Sequence, residues 1–318
     1  MNTTSDLPQP VAIRAAKPSD LHAVLRIRTA LELSEDGLPH MTADRLAAEW
    51  EALGPRLASQ VWVAEAADGS LLACAELIRQ NEMFGPRLWV LTDHCDHGFE
   101  LALLHCAEQR ACAIGREEGA HSVHLFAQAK SSHPAMQRTL QQSGFVITSM
   151  YEQMVRALSE LPPTPGVIAG IEIRPFALGQ AAEVVYRADE EAFQDERGHT
   201  PRTFEQWRQR LQLSGEAFDP SLWLIAWDAD EVAGAALGEV IQQIGWIHHL
   251  SVRRPWRHRG LGAALTRSAL GAFYRQGIGT VRLNVDAQSL TNAHQLYRRL
   301  GFAVTHTYAN YAKTVSLA

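Results

Sequence analysis

Arg257-His258-Arg259-Gly260-Leu261-Gly262 follows an apolar strand, Trp246 to Val252, and opens a helix. Glycines at 260 and 262 let backbone N–H groups come close to phosphate oxygens, and the helix adds its unpaired N-terminal amides. Arg253, Arg254, Arg257 and Arg259 supply positive charge around the turn. The stretch therefore reads as a cradle for a diphosphate and points to a nucleotide-tailed cofactor. A basic turn with two glycines is also an ordinary strand-to-helix connection, so the hexapeptide alone does not separate the two readings. The chain that follows it does.

Downstream come a helix over about Gly260–Gln276, an alternating strand Val281–Asp286, and the run Asn292-Ala293-His294-Gln295-Leu296-Tyr297-Arg298-Arg299-Leu300-Gly301-Phe302. Ala293, Leu296, Tyr297 and Leu300 fall at i, i+3, i+4 and i+7, so the run forms a short helix with one buried stripe that ends at Gly301. In this order and spacing, over roughly Ile171 to Lys313, the chain resembles the GNAT superfamily of acyl-CoA-dependent N-acyltransferases. The resemblance implies acetyl-CoA as cofactor. It implies pyrophosphate contacts from Arg257, His258, Arg259, Gly260, Leu261, Gly262 and Ala263, and pantetheine pairing along Leu250, Ser251 and Val252. It also places Tyr297 near the sulfur and Asn292 at a helix start that touches the cofactor.

The chain repeats itself. Ile13-Arg14-Ala15 and a helix from Ser19-Asp20 match Ile173-Arg174-Pro175 and a helix near Gln180; Trp50 in Thr42–Leu53 matches Trp207 in Thr203–Leu211. Val61–Ala64 with its Asp68-Gly69 turn parallels Leu222–Ala226 with the turn at Asp228–Asp230. Later, Val123–Phe126 aligns with Val281–Val285, and Leu140–Phe145 with Tyr297–Phe302. The expected class is α/β (α+β), with two tandem GNAT-like domains, each a mixed, mostly antiparallel twisted sheet flanked by helices. Residues 1–158 form the first domain, 159–170 a Pro-rich linker and 171–318 the second. The layout is similar to that of the tandem GNAT group that includes mycothiol synthase.

The two copies differ where chemistry is expected. In place of the basic turn, Leu91–Glu100 carries Asp93, Asp96 and Glu100 with Gly98 as its glycine, and acids there repel a pyrophosphate. Leu140 stands in the position of Tyr297. The first copy reads as degenerate, shaping a cleft while the second copy carries the acyl-CoA site.

Composition bounds the rest. At 318 residues, 46% hydrophobic and 20% charged, the chain is a globular sequence of two ordinary domains. Of the 29 basic and 35 acidic residues, 13 and 19 lie in Met1–Leu158, so the net charge of -6 belongs to the first half. That balance argues against a nucleic-acid surface and suits a cationic substrate. Met1–Pro10 has no basic and apolar signal sections, and no apolar run approaches the ~20 residues that span a bilayer; a cytoplasmic protein without a membrane partner is expected. Monomer and homodimer both remain open. Cys74, Cys95, Cys106 and Cys112 show no Cys-x-x-Cys spacing, and His94-Cys95-Asp96-His97 reads as a polar loop, so no metal is expected.

Acyl transfer from a thioester to an amine needs a base, a donor for the oxyanion and an acid for the leaving thiolate. Strict alternation along Trp246–Val252 puts Trp246, His248, Leu250 and Val252 on one face and Ile247, His249 and Ser251 on the other. His248 is the first choice for base, since the arylalkylamine branch of the family is similar in carrying a catalytic His at this spot; a His satisfied at a sheet surface is the alternative. Glu239 is second and His249 third. The resemblance further implies a strand that splays from its neighbour, with the Leu250 N–H donating to the oxyanion and Tyr297 protonating the thiolate. Asp189, Glu190, Glu191, Asp195 and Glu196 read either as an attractor for a cationic amine or as a solvated helix face. Trp207, Trp223, Trp227 and Trp246 line a cleft or fill cores.

The function expected from these parts is transfer of an acetyl group from acetyl-CoA to a primary amine of a small molecule, by direct attack in a ternary complex in the second half. Two alternatives stand beside it: a non-catalytic CoA-binding pseudo-dimer module, and a protein or peptide N-acetyltransferase.

Overall fold

The computed structural model describes residues 11–36, 41–80, 83–90, 98–176, 182–194, 201–207, 219–287 and 293–317. The chain divides into two compact units, Met1–Ser149 with Tyr308–Ala318, and Met150–Thr307. The acidic loop that separates the copies by sequence lies outside the described residues up to His97, as do Asp195, Glu196 and Asn292.

The first half runs β1 (Ala12–Ala15), α1 (Leu21–Asp36), α2 (Ala43–Leu53), α3 (Leu57–Gln60), β2 (Val61–Glu65), β3 (Leu71–Gln80) and β4 (Met83–Val90). It continues through α4 (Phe99–Glu117), β5 (Ser122–Lys130), α5 (Pro134–Gln142) and β6 (Val146–Ala157). The second half repeats the order: β7 (Ile171–Pro175), α6 (Ala182–Phe193), β8 (Trp223–Asp228), β9 (Glu231–Ile241) and β10 (Ile244–Val252). Then come α7 (Leu261–Arg275), β11 (Thr280–Asp286), α8 (Ala293–Arg299) and β12 (Ala303–Ser316). Where the second helix of this half is expected, 204–207 is helical; Thr203 Oγ1 accepts from Gln206 N–H and Gln206 Oε1 from Thr203 N–H, a reciprocal cap.

In each unit four strands pair antiparallel in sequence order, and the fourth then pairs parallel with the next through a crossover helix, α4 or α7. Parallel pairing needs such a crossover, because a hairpin cannot reverse the chain twice. Both crossover helices start at a glycine in the left-handed region, Gly98 at φ 86° and Gly260 at φ 82°, so the duplication reaches the backbone itself.

The last strand of each unit comes from the other half of the sequence. Residues Tyr151–Ala157 of β6 pair antiparallel with Thr280–Asp286 of β11 in the second unit. Residues Tyr308–Ser316 of β12 pair antiparallel with Ser122–Lys130 of β5 in the first.

The second unit's core gathers Trp207, Trp223, Ile225, Leu265, Leu270, Phe273, Val281 and Leu283, all less than a tenth exposed. Its centre is Phe273 of α7, which lies flat enough on the sheet that a Cβ at Gly238 or Gly245 would stand 2.8 Å from its ring. Glycine at both positions admits the ring, whose burial contributes about 1.5–3 kcal/mol. Trp207 meets Trp223 edge-on at 6.0 Å, so these two tryptophans fill the core rather than a cleft.

Candidate active site

The site is built on β10, and β10 is not a regular strand. Its register on β9 runs Trp246↔Glu239 and Ile247↔Gly238, then resumes at His249↔Leu237 and Leu250↔Ala236, leaving His248 as an extra residue. That bulge overturns the strict alternation read from the sequence. Side chains directly opposite one another share a face, so Trp246, His249 and Ser251 lie on the face of Glu239 and Leu237, which α6 covers. Ile247, Leu250 and Val252 lie on the opposite face with Gly238, beneath α7.

β10 and β11 also part company. Their parallel pairing covers Gly245↔Val281, Trp246↔Arg282 and Ile247↔Leu283, while the strands run on to Val252 and Asp286. Arg253 N–H donates to the Ala233 carbonyl at 3.0 Å, which makes Ser251/Ala235 and His249/Leu237 the hydrogen-bonded pairs of the β9 ladder. The peptide groups of Leu250 and Val252 therefore turn away from β9 and towards the gap. Arg257 Nε donates to the Val252 carbonyl at 2.9 Å, on that same side.

Beyond Val252 the chain makes a tight turn at Arg254–Trp256, passes His258 at φ 61° and reaches Gly260. Ala264 N–H donates to Gly260 O at 3.1 Å as the first bond of α7, so the amides of Leu261, Gly262 and Ala263 are the first-turn donors of a 15-residue helix. His258, Arg259 and Gly260 are exposed. This arrangement can receive an anion, with about 0.3–1 kcal/mol from the helix dipole at an exposed end. Arg259 donates to Ala169 O at 3.5 Å, and Arg253 and Arg257 are each held by several bonds. Arg253 pairs with Glu191 at 2.8 Å, donates to Val232 O at 2.9 Å and stacks over Trp256; Arg257 donates to Val252 O and to Ala192 O at 3.0 Å. They tie the loop to α6, and Arg254 and Arg259 are the exposed cations of the turn.

Tyr297 sits on α8, 6% exposed and edge-on to Phe302 at 5.8 Å. Gly301, at φ 82°, closes the helix, and Phe302 N–H donates back to Tyr297 O at 3.0 Å. A Cβ on Gly262 would stand 3.3 Å from Leu296 and 3.9 Å from both Leu250 and Val252. The loop, the split strand and the tyrosine helix therefore converge on one glycine.

On the α6 face two polar pairs stand at the bulge. His248 Nε2 lies 3.0 Å from Glu239 Oε2, with the His248 ring stacked on Trp246 at 6.0 Å and the Arg282 guanidinium 5.9 Å from that indole. The sequence's first and second choices for base are thus one hydrogen-bonded pair. His249 Nδ1 lies 3.2 Å from Asp189 Oδ2, and Asp189 is 1% exposed. Burial alone would raise the Asp189 carboxyl, but the bond from His249 and its charge, with Ser251 and Arg202 adding to them, hold it below the ordinary value. Of the acids read as a cluster, Asp189 holds His249, Glu190 pairs with Arg202 at 3.2 Å and the partly exposed Glu191 pairs with Arg253. No spacing rule could link Asp189 to His249 across 60 residues of sequence.

Among the described residues the first unit does not repeat this set. Its first helix buries Arg28 rather than an acid, over the Trp89 ring at 4.3 Å, and its α5 buries Leu140 where α8 has Tyr297. Among the described residues no group of three or more His, Cys, Asp and Glu is placed to hold a metal, and no helix is long and apolar enough to cross a membrane; His94–His97 lie outside them.

A sheet opened between two parallel strands, beside a turn of helix-terminal amides and a tyrosine helix, defines the class as an acyltransferase. The Acetyltransferase (GNAT) family model matches residues 182–302. A crystal structure of a GCN5-related N-acetyltransferase from Sphaerobacter thermophilus is 31% identical, with 98% of each chain covered and a TM-score of 0.82. Mycothiol acetyltransferase from Kineococcus radiotolerans is 29% identical over 313 residues, 95% of this chain and 96% of the relative. That from Streptomyces scabiei is 30% identical over 184 residues, 56% of this chain and 58% of the relative's length. The chain belongs to the GCN5-related N-acetyltransferase (GNAT) family.

Proposed function

We propose that the second unit transfers an acetyl group from acetyl-CoA to a primary amine of a small molecule, by direct attack within a ternary complex. The observation that carries this reading is the parting of β10 from β11 after Ile247 and Leu283, with the helix-terminal amides and the tyrosine helix meeting at Gly262 beside it. The residues present suit the cofactor: amides 261–263 and the exposed Arg254 and Arg259 offer a diphosphate site, and the peptide groups of Leu250 and Val252 face the gap where a pantetheine arm would lie. When bound, the cofactor supplies a thioester acyl group.

The chain's own residues supply the rest. Leu250 N–H, turned away from β9, donates to the oxyanion. His248 takes a proton from the bound ammonium, freeing the neutral amine to attack, and Glu239 at 3.0 Å stabilises the charge that His248 gains. Tyr297 returns a proton to the thiolate. Full-length similarity to mycothiol acetyltransferases supports a mycothiol-related small-molecule amine as the first acceptor to test.

Isothermal titration and thiol-release assays over a panel of amines test the reading. One acetyl-CoA per chain and turnover that Tyr297→Phe lowers are expected. Two equal sites, or tight binding with no turnover on any amine, count against it, the latter in favour of a non-catalytic CoA-binding module.

A further inference from the structure

The bulge at His248 decides which way the rest of β10 points. One extra residue turns over every side chain and peptide group that follows it, so in a regular strand Leu250 would direct its N–H at β9 rather than into the gap. A bulge in a short strand needs something to hold it. The first residue after it is His249, whose Nδ1 is bound at 3.2 Å by Asp189 Oδ2 of α6. Phe193, one turn further along α6, meets the His249 ring edge-on at 5.1 Å, and Ser251 is buried on the same face. A carboxylate 1% exposed is costly to keep unless it is paired; a regular strand would still set a histidine, His248, opposite Leu237, but it would put Leu250 opposite Ala235, so only with the bulge does Asp189 gain Ser251 beside its histidine.

We infer that Asp189 is a positioning residue: by holding His249 against α6 it locks the bulge at His248 and so aims the Leu250 and Val252 peptide groups into the gap between β10 and β11. This rests on the acetyl-CoA reading above, since the gap is where that reading lays the pantetheine arm. Asp189 acts through His249 and touches no substrate. The phosphate turn is held separately, by Arg253 on Glu191 and Arg257 on Ala192 O. The inference therefore predicts a loss confined to the part of the cofactor that lies along the strand.

Titration calorimetry of the full chain with coenzyme A and with 3′-phosphoadenosine 5′-diphosphate, which lacks the pantetheine arm, separates the two. Asp189→Leu and His249→Leu should weaken coenzyme A about tenfold, the scale of one or two lost backbone hydrogen bonds, and leave the nucleotide fragment within about twofold. Asp189→Asn, which still accepts a bond from His249, should stay within about threefold of the parent for both. If either single leucine variant does not fold, Asp189→Leu/His249→Leu together, which leaves no unpaired carboxylate buried, is compared with Asp189→Asn and should show the same selective loss. Equal losses for both ligands, or undiminished coenzyme A binding by His249→Leu, would overturn the inference while leaving the cofactor reading intact. A parent chain that binds neither ligand would overturn both.

Discussion

Gly262 and Leu296 stand so close that a Cβ on the glycine would lie 3.3 Å from the leucine's Cδ2. That contact joins the start of α7 to α8. Gly262→Glu places a negative charge and a long side chain at the helix-terminal amides, and should abolish acetyl-CoA binding in a calorimetric titration. Gly262→Ala should be mild, because up to about 1 kcal/mol of helix propensity offsets a contact that a leucine rotamer can relieve. Thermal melting of both variants checks that the fold survives.

Tyr297→Phe removes a hydroxyl and keeps the ring against Phe302. Stability should change by less than about 1 kcal/mol and acetyl-CoA affinity little, while turnover falls about 10²-fold or more if the phenol donates the proton. Steady-state rates together with a binding isotherm measure both halves of this expectation.

β11 is paired on one side by Tyr151–Ala157, residues that precede the linker. A fragment 171–318 lacks them and exposes an unpaired edge along all seven residues of β11. It should be aggregation-prone and unable to bind acetyl-CoA, as judged by circular dichroism and size-exclusion chromatography. Adding back 146–170 should improve its solubility; a well-folded 171–318 that binds the cofactor would refute the dependence.

Asp189 is held below its ordinary value in the folded chain, so its interactions with His249, Ser251 and Arg202 stabilise the fold above the unfolded carboxylate value of ~3.9. That contribution is lost as pH falls through the lower, folded value. Urea unfolding of the parent and of Asp189→Asn should therefore differ at pH 7 and converge in strong acid. His249→Leu, which strands a buried carboxylate, should cost about 3–5 kcal/mol at neutral pH. A stability gap between Asp189→Asn and the parent that widened on acidification would contradict the assignment.

Burial pushes the Cys74 thiol up to about 12. At pH 8 only about one part in 10⁴ is then thiolate, the reactive form. Cys74 should resist alkylation in the native protein and react once it is unfolded, which peptide mapping after iodoacetamide treatment would show.

Several features were legible because they are local. The glycine turn, the i, i+3, i+4, i+7 stripe of α8 and the internal repeat are patterns of neighbours along the chain, and each reports a backbone conformation or a buried face directly. On that basis the sequence by itself determined the element order of both halves and the class of enzyme. Tertiary structure alone decided the rest. Whether His248 sits in a bulge depends on how β10 registers against β9, and no residue within β10 encodes an extra position. The pairing of His249 with Asp189, the diversion of Arg253 and Arg257 to α6, and the return of β12 to the first unit all join residues distant in sequence. Such contacts form because buried charges must find partners and strand edges must be covered, and only packing in three dimensions determines which partner is within reach.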